Sequence, residues 1–161
     1  MINAILEREI PQYLKFDKVM KGRGDGVFRI ADLGCATGIN TLLVADTIVR
    51  AVQTACSSEC IEVPEFQVYF ADLPSNDFNS LLRSLPPHEH QGAEKERGFG
   101  EAPATRSYFA AVVCGSFYKT LFPPKSLHFC HSSNSLHWLS QVINALRLLP
   151  VSFYFGFISV F

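Results

Sequence analysis

Positive charge is nowhere gathered into a stripe in this chain, whose 14 Lys and Arg against 15 Asp and Glu leave a formal net charge of −1. Its charged passages alternate in sign, as Glu94-Lys95-Glu96-Arg97 does in the manner of a solvated loop, so no nucleic-acid partner is expected. A second cysteine pair is missing as well. Cys35, Cys56, Cys60, Cys114 and Cys130 are odd in number and scattered, which reads as reduced thiols in the cytosol. Cys56 and Cys60 have no matching pair at zinc spacing, so no metal site is expected in the chain. The opening residues lack the run of a signal peptide, because Ile5 to Lys18 mixes Glu7, Arg8, Glu9 and Lys15 into an amphipathic pattern. A long apolar stretch comes only from Ile143 to Phe161, and Arg147 and Pro150 break it, so no membrane anchor is expected.

What is present suits one soluble domain: 161 residues, 48% of them hydrophobic, are enough for a real core. Ile2, Ile5, Leu6, Ile10 and Leu14 fall near helical spacing, and this face is expected to cover a sheet, with Pro11 kinking or restarting the helix. The organising stretch is Val27 to Asn40. Val27 to Ala31 is a short β-branched and aromatic run that predicts a parallel strand covered on both faces, ending on Asp32 and breaking at Gly34 and Gly38. Those glycines allow positive φ and close backbone approach to a ligand, or serve turn geometry alone. With two glycines and the acidic residue ahead of them, the pattern is not the dinucleotide fingerprint, and it favours a ligand with a cationic amino-acid part that can meet Asp32. A helix with Leu42, Leu43, Val44, Ile48, Val49 and Val52 inward follows from Asn40 to Val52, and Thr54 to Glu62 loosens.

Phe66 to Phe70 predicts a second strand, again closed by an acidic residue, Asp72, with Leu73 and Pro74 behind it. Two such strands separated by one helix form a βαβ unit, so both carboxylates arrive on one edge. Asp72 then suits ribose hydroxyls and Leu73 the face of a purine, since Asn76 and Asp77 stand nearer the helix at Phe78 to Leu85 and cap it better. Pro86 to Arg106 is a long loop without periodicity, and its His88 and His90 read as solvated. Tyr108 to Val113 is a third strand leading to Cys114, Gly115, Ser116 and Phe117, where the ring either stacks on a base or belongs to the core. Tyr118 to Phe122 predicts one helical turn, stopped by Pro123 and Pro124. A fourth strand, Leu127 to His131, runs into a serine-rich turn and a helix at Leu136 to Ser140.

The succession IADLGCATGINT, FQVYFADLPSNDFNSL and CGSFYKTLFPPKSLHFCHSSNSLHWLSQV resembles the plant SABATH methyltransferases over about Val27 to Val142. The resemblance implies an α/β fold, a partial Rossmann-like class I methyltransferase sheet of the doubly wound type without the last strands and the helical cap. It implies S-adenosylmethionine as methyl donor, with Asp32 at its amino-acid end, Gly34, Cys35 and Asn40 against it, Asp72 and Leu73 at ribose and adenine, and Ser116 and Phe117 on the adenine side. Asn134, His137 and Trp138 match residues that line the acceptor pocket, although the family often has Tyr where Asn134 stands. Cys114 stands where Pro is common.

The implied acceptor is a small carboxylic acid or a xanthine. An ionised carboxylate needs no general base, so no catalytic residue is expected, and His137 and Trp138 would orient the acceptor. Residues 1–142 read as an incomplete cofactor-binding domain and 143–161 as an apolar tail outside the family pattern. An amino-terminal tyrosine, asparagine and glutamine motif has no match, and the magnesium site of full-length relatives is expected outside this chain. The expectations are therefore a carboxyl methyltransferase, with a xanthine N-methyltransferase as one alternative. The other is a catalytically silent fragment that binds cofactor or pairs with an intact relative. The location is cytoplasmic and a homodimer is allowed.

Overall fold

The computed structural model describes residues 2–13, 25–88 and 105–132, together with the backbone of two short strands at 151–154 and 157–160. The first element, α1 (Ile2–Tyr13), runs across Pro11 rather than restarting there. Pro11 sits in the last turn, where its missing N–H removes one backbone bond and the helix ends two residues later. Leu6 and Ile10 bury their side chains, and the main neighbour of α1 is the next helix rather than the sheet.

Four parallel strands form the sheet: β1 (Val27–Leu33), β2 (Glu65–Asp72), β3 (Phe109–Cys114) and β4 (Phe129–His131), in spatial order β3-β2-β1-β4. β1 is central, as its composition requires, with Phe28, Ile30 and Ala31 fully buried. It reaches two residues beyond the expected end, so Asp32 lies within the ladder opposite Phe70 and His131. The order is that of one half of a doubly wound sheet, whose crevice opens at the strands' carboxyl ends beside the central strand.

Between β1 and β2 runs α2 (Ile39–Ser58), a 20-residue helix. It does not loosen at Thr54, because Ala55 and Cys56 continue the face buried by Leu42, Ala45, Ile48, Val49 and Val52. A short helix, α3 (Phe78–Ser84), follows β2 and is capped by Asp77, whose carboxylate accepts the Ser80 N–H at 3.0 Å. The Ser80 hydroxyl and amide hold the Asp77 carboxyl below its ordinary range. The core joins the strands to α2 through Phe28, Phe66, Phe70 and Tyr108, which meet edge to face. After β3, Lys119 N–H donates to Ser116 O at 2.9 Å and closes a turn, where a helical turn over Tyr118 to Phe122 was expected. His88 stacks on Phe109 with ring centroids 4.6 Å apart, so this imidazole packs against β3; His90 lies outside the described residues.

At the chain's far end, β5 (Val151–Tyr154) and β6 (Phe157–Val160) pair as an antiparallel hairpin. Among the described residues no helix is long and apolar enough to cross a membrane.

Candidate functional site

Three loops meet where β1, β2 and β3 end. Gly34 takes φ +77 and turns the chain out of β1, and its N–H and that of Cys35 both donate to Ala71 O, at 2.8 and 3.2 Å. A left-handed conformation at this point is what glycine permits at no steric cost. Ala36 is also left-handed, at φ +53, and it is held there by the tip of the neighbouring strand: its N–H donates to Asp72 Oδ2 at 2.7 Å.

Asp72 ties the loops together. Its Oδ1 accepts the Leu73 N–H at 2.7 Å and its main-chain carbonyl accepts the Gly115 N–H at 2.9 Å, which fixes the turn into Ser116 and Phe117. Asn76 closes the same edge by donating from Nδ2 to Ala36 O at 3.1 Å. Ser116 Oγ accepts the Tyr118 N–H at 3.3 Å, and the Phe117 ring tilts against Tyr118 with centroids 5.4 Å apart. Gly34, Cys35, Asp72, Leu73, Ser116 and Phe117 thus share the carboxyl-end edge, with exposed Asn40 in the first turn of α2. Leu73 is 49% exposed beside the half-buried Asp72. Asn134, His137 and Trp138 lie outside the described residues.

Two predicted residues sit deeper than the rim. The Cys35 thiol is buried and is pushed up to about 12, first by burial and then by the nearby Asp32 and Asp72 carboxylates, so it stays a protonated thiol at neutral pH. Asp32 is 5% exposed and already engaged within the protein. Its Oδ2 accepts the Thr41 hydroxyl and its Oδ1 lies 2.7 Å from His131 Nδ1. Ser132 Oγ donates to Leu33 O at 3.1 Å just beyond.

Sequence reasoning did not single out Thr41, Asn76 or His131 for this edge. The topology held a signal for His131, because the strand that pairs on the free side of a central β1 must bring its last residues level with Asp32. No comparable signal marks Ala36, whose left-handed backbone is imposed by its neighbours.

The donor set suits a nucleoside-bearing cation. A strand-end carboxylate keeps unused lone pairs on both oxygens, an apolar side chain lies exposed next to it, and the turn opposite lacks a Cβ at Gly34. A family model described as SAM dependent carboxyl methyltransferase matches residues 2–148. The chain is 50% identical over 127 residues to indole-3-acetate O-methyltransferase 1 of Oryza sativa subsp. japonica, covering 76% of this chain and 31% of that protein. It is 53% identical over 113 residues to a probable jasmonic acid carboxyl methyltransferase 2 of Theobroma cacao, covering 70% of this chain and 29% of that one. A solved structure of a loganic acid methyltransferase with SAH superposes with a TM-score of 0.66 at 39% identity, over 87% of this chain and 34% of the other. The chain thus spans roughly a third of the length of these relatives. On the family match and on these identities, the chain belongs to the SAM dependent carboxyl methyltransferases, the SABATH family.

Proposed function

We propose that this chain forms the S-adenosylmethionine-binding part of a methyltransferase that acts on the carboxyl group of a small plant metabolite. The observation that carries the reading is Asp72, whose carboxylate is joined to the glycine turn and to Leu73 and whose main-chain carbonyl is joined to the loop of Ser116, all at a single sheet edge. In this role Asp72 accepts hydrogen bonds from the ribose hydroxyls, Leu73 and Phe117 flank the adenine, and Ser116 offers a hydroxyl on the same side. Gly34 and Cys35 bring the main chain of the turn against the amino-acid end, with Asn40 beside it. Asp32 acts there through its buried position rather than from the rim, since both of its oxygens already have protein partners.

When bound, the donor supplies an electrophilic sulfonium methyl, which an acceptor carboxylate already ionised near pH 7 takes in line. The protein's task is then to position the two. Asn134, His137 and Trp138 carry the acceptor in this reading. The named relatives act on carboxyl groups, which favours that acceptor class over xanthine nitrogens. All five cysteines are free thiols, which supports a reducing, cytoplasmic location. No residue of this chain is assigned to magnesium.

Calorimetric titration of the purified chain with S-adenosylhomocysteine tests the proposal. Saturable one-site binding is expected, and its absence at millimolar ligand would sink the cofactor role. A parallel assay with labelled S-adenosylmethionine and indole-3-acetic or jasmonic acid separates an active enzyme from a chain that binds cofactor without turnover.

A further inference from the structure

We infer that His131 is a positioning residue: it locks the start of the segment after β4 to the glycine turn of β1. The inference rests on the cofactor reading of that turn only for its functional consequence. Asp32 and His131 are direct partners in the β1–β4 register, and Nδ1 of the imidazole lies 2.7 Å from Asp32 Oδ1. In the tautomer with its proton on Nδ1 the imidazole donates to this carboxylate oxygen. The second oxygen of Asp32 takes the hydroxyl of Thr41, in the first turn of the helix that leaves the glycine turn. One buried carboxylate therefore joins the end of β1, the start of α2 and the end of β4. The next residue repeats the link, with Ser132 Oγ on Leu33 O.

Stability alone does not call for such a pair. Both side chains are almost wholly buried, and desolvating a carboxylate is costly enough that an apolar pair of similar volume would commonly hold two strands as well or better. What a directional contact adds is a fixed angle and register. The sequence continues from Ser132 directly into Asn134, His137 and Trp138, the residues proposed for the acceptor. Gly34 to Asn40, proposed for the methyl donor, leads directly into Thr41, which meets the same carboxylate. A methyl transfer in line demands that these two segments keep their separation, and a small displacement costs rate steeply. His131 supplies that constraint without touching either reactant.

Amide hydrogen exchange on the whole chain tests the link without any ligand. In His131→Asn the side-chain amide can occupy the place of Nδ1, whereas in His131→Gln it lies near the place of Nε2 and loses Asp32. The Gln variant should exchange roughly tenfold faster at both Gly34–Thr41 and Ser132, with Ile48–Val52 in the middle of α2 unchanged. The Asn variant should stay within about twofold of the parent at every one of these amides. Faster exchange at Ser132 alone, a uniform rise that includes Ile48–Val52, or failure of Asn to restore protection would each overturn the inference. Should the Gln variant not fold, Asp32→Asn serves in its place and must loosen the same two stretches together. Affinity for S-adenosylhomocysteine adds a second reading, expected about tenfold weaker for Gln and unchanged for Asn. If the parent chain binds no S-adenosylhomocysteine, the functional proposal falls while the exchange data still decide the role of His131.

Discussion

The Oδ2 atom of Asp72, at the tip of β2, accepts the main-chain N–H of Ala36 at 2.7 Å at the carboxyl-end edge of the sheet. This contact makes the conformation of the glycine turn depend on a side chain 36 residues further along the chain. Asp72→Ala removes both the turn's anchor and the proposed ribose acceptor. The expected loss of affinity for S-adenosylhomocysteine is about 1.5–3 kcal/mol, the scale of a hydrogen bond to a charged group. Titration calorimetry on parent and variant checks it, and equal affinities would remove Asp72 from the ribose.

Opposite substitutions in the same turn should have unequal effects. Gly34→Ala places a Cβ at φ +77 and should destabilise the fold by about 1–2 kcal/mol. Ala36→Gly relieves a left-handed alanine at φ +53 while adding freedom to the unfolded chain, so its stability should stay within about 1 kcal/mol of the parent. Urea unfolding curves of the two variants decide the matter. A larger loss for Ala36→Gly than for Gly34→Ala would show that the turn is not the one described.

Thr41→Val keeps the shape of a buried side chain and deletes the hydroxyl that meets Asp32 Oδ2. A buried carboxylate oxygen then loses its donor, at an expected cost of about 1–3 kcal/mol. Thr41→Ser retains the donor and gives up one methyl group, about 1 kcal/mol. Chemical denaturation should therefore rank the parent first, Ser second and Val third, and a Val variant as stable as the parent would count against the contact.

Alkali should unfold the protein in a defined window. Burial pushes the Cys35 and Cys130 thiols from an ordinary 9.0 up to about 12, and it moves the Tyr108 phenol upward as well. In the unfolded chain these thiols lose their protons near 9, whereas the folded chain keeps them until about 12. The folded state thus binds more protons through that interval, so stability is fully present below pH 9 and falls as pH rises toward 12. Melting temperatures measured from pH 8 to 12 should decline, and Cys130→Ala should make the decline shallower. A flat profile in the parent would mean that these thiols are not buried as described.

Much of the sheet was legible because its signals are local. Val27 to Ala31 has the composition of a strand covered on both faces, and two strands that end in Asp with one helix between them can hardly avoid being parallel neighbours. The convergence of Asp72 with Ser116 followed from the same rule, and Gly115 N–H on Asp72 O is its physical form. Less legible were features set by tertiary neighbours. Helix α2 persists past Thr54 because Ala55 and Cys56 find a core to enter, and Pro11 is tolerated because it falls in a last turn. Asp32 looked like a rim residue since nothing adjacent in sequence announces that Thr41 and His131 will enclose it.

The central place of β1 also sets an order of events during folding. Its pairing with β2 begins at Val27 opposite Glu65 and needs only one helix to be made between them, whereas its contact with β4 spans 99 residues. Closing the longer loop costs more entropy and is slower, so the first ladder forms while the second edge is still bare. On a ribosome the interval is longer still, because residues 129–131 have not yet been synthesised when β1 and β2 can already meet. The contact of Asp32 with His131 is therefore the late one of its two, since Thr41 belongs to the helix that already joins β1 to β2.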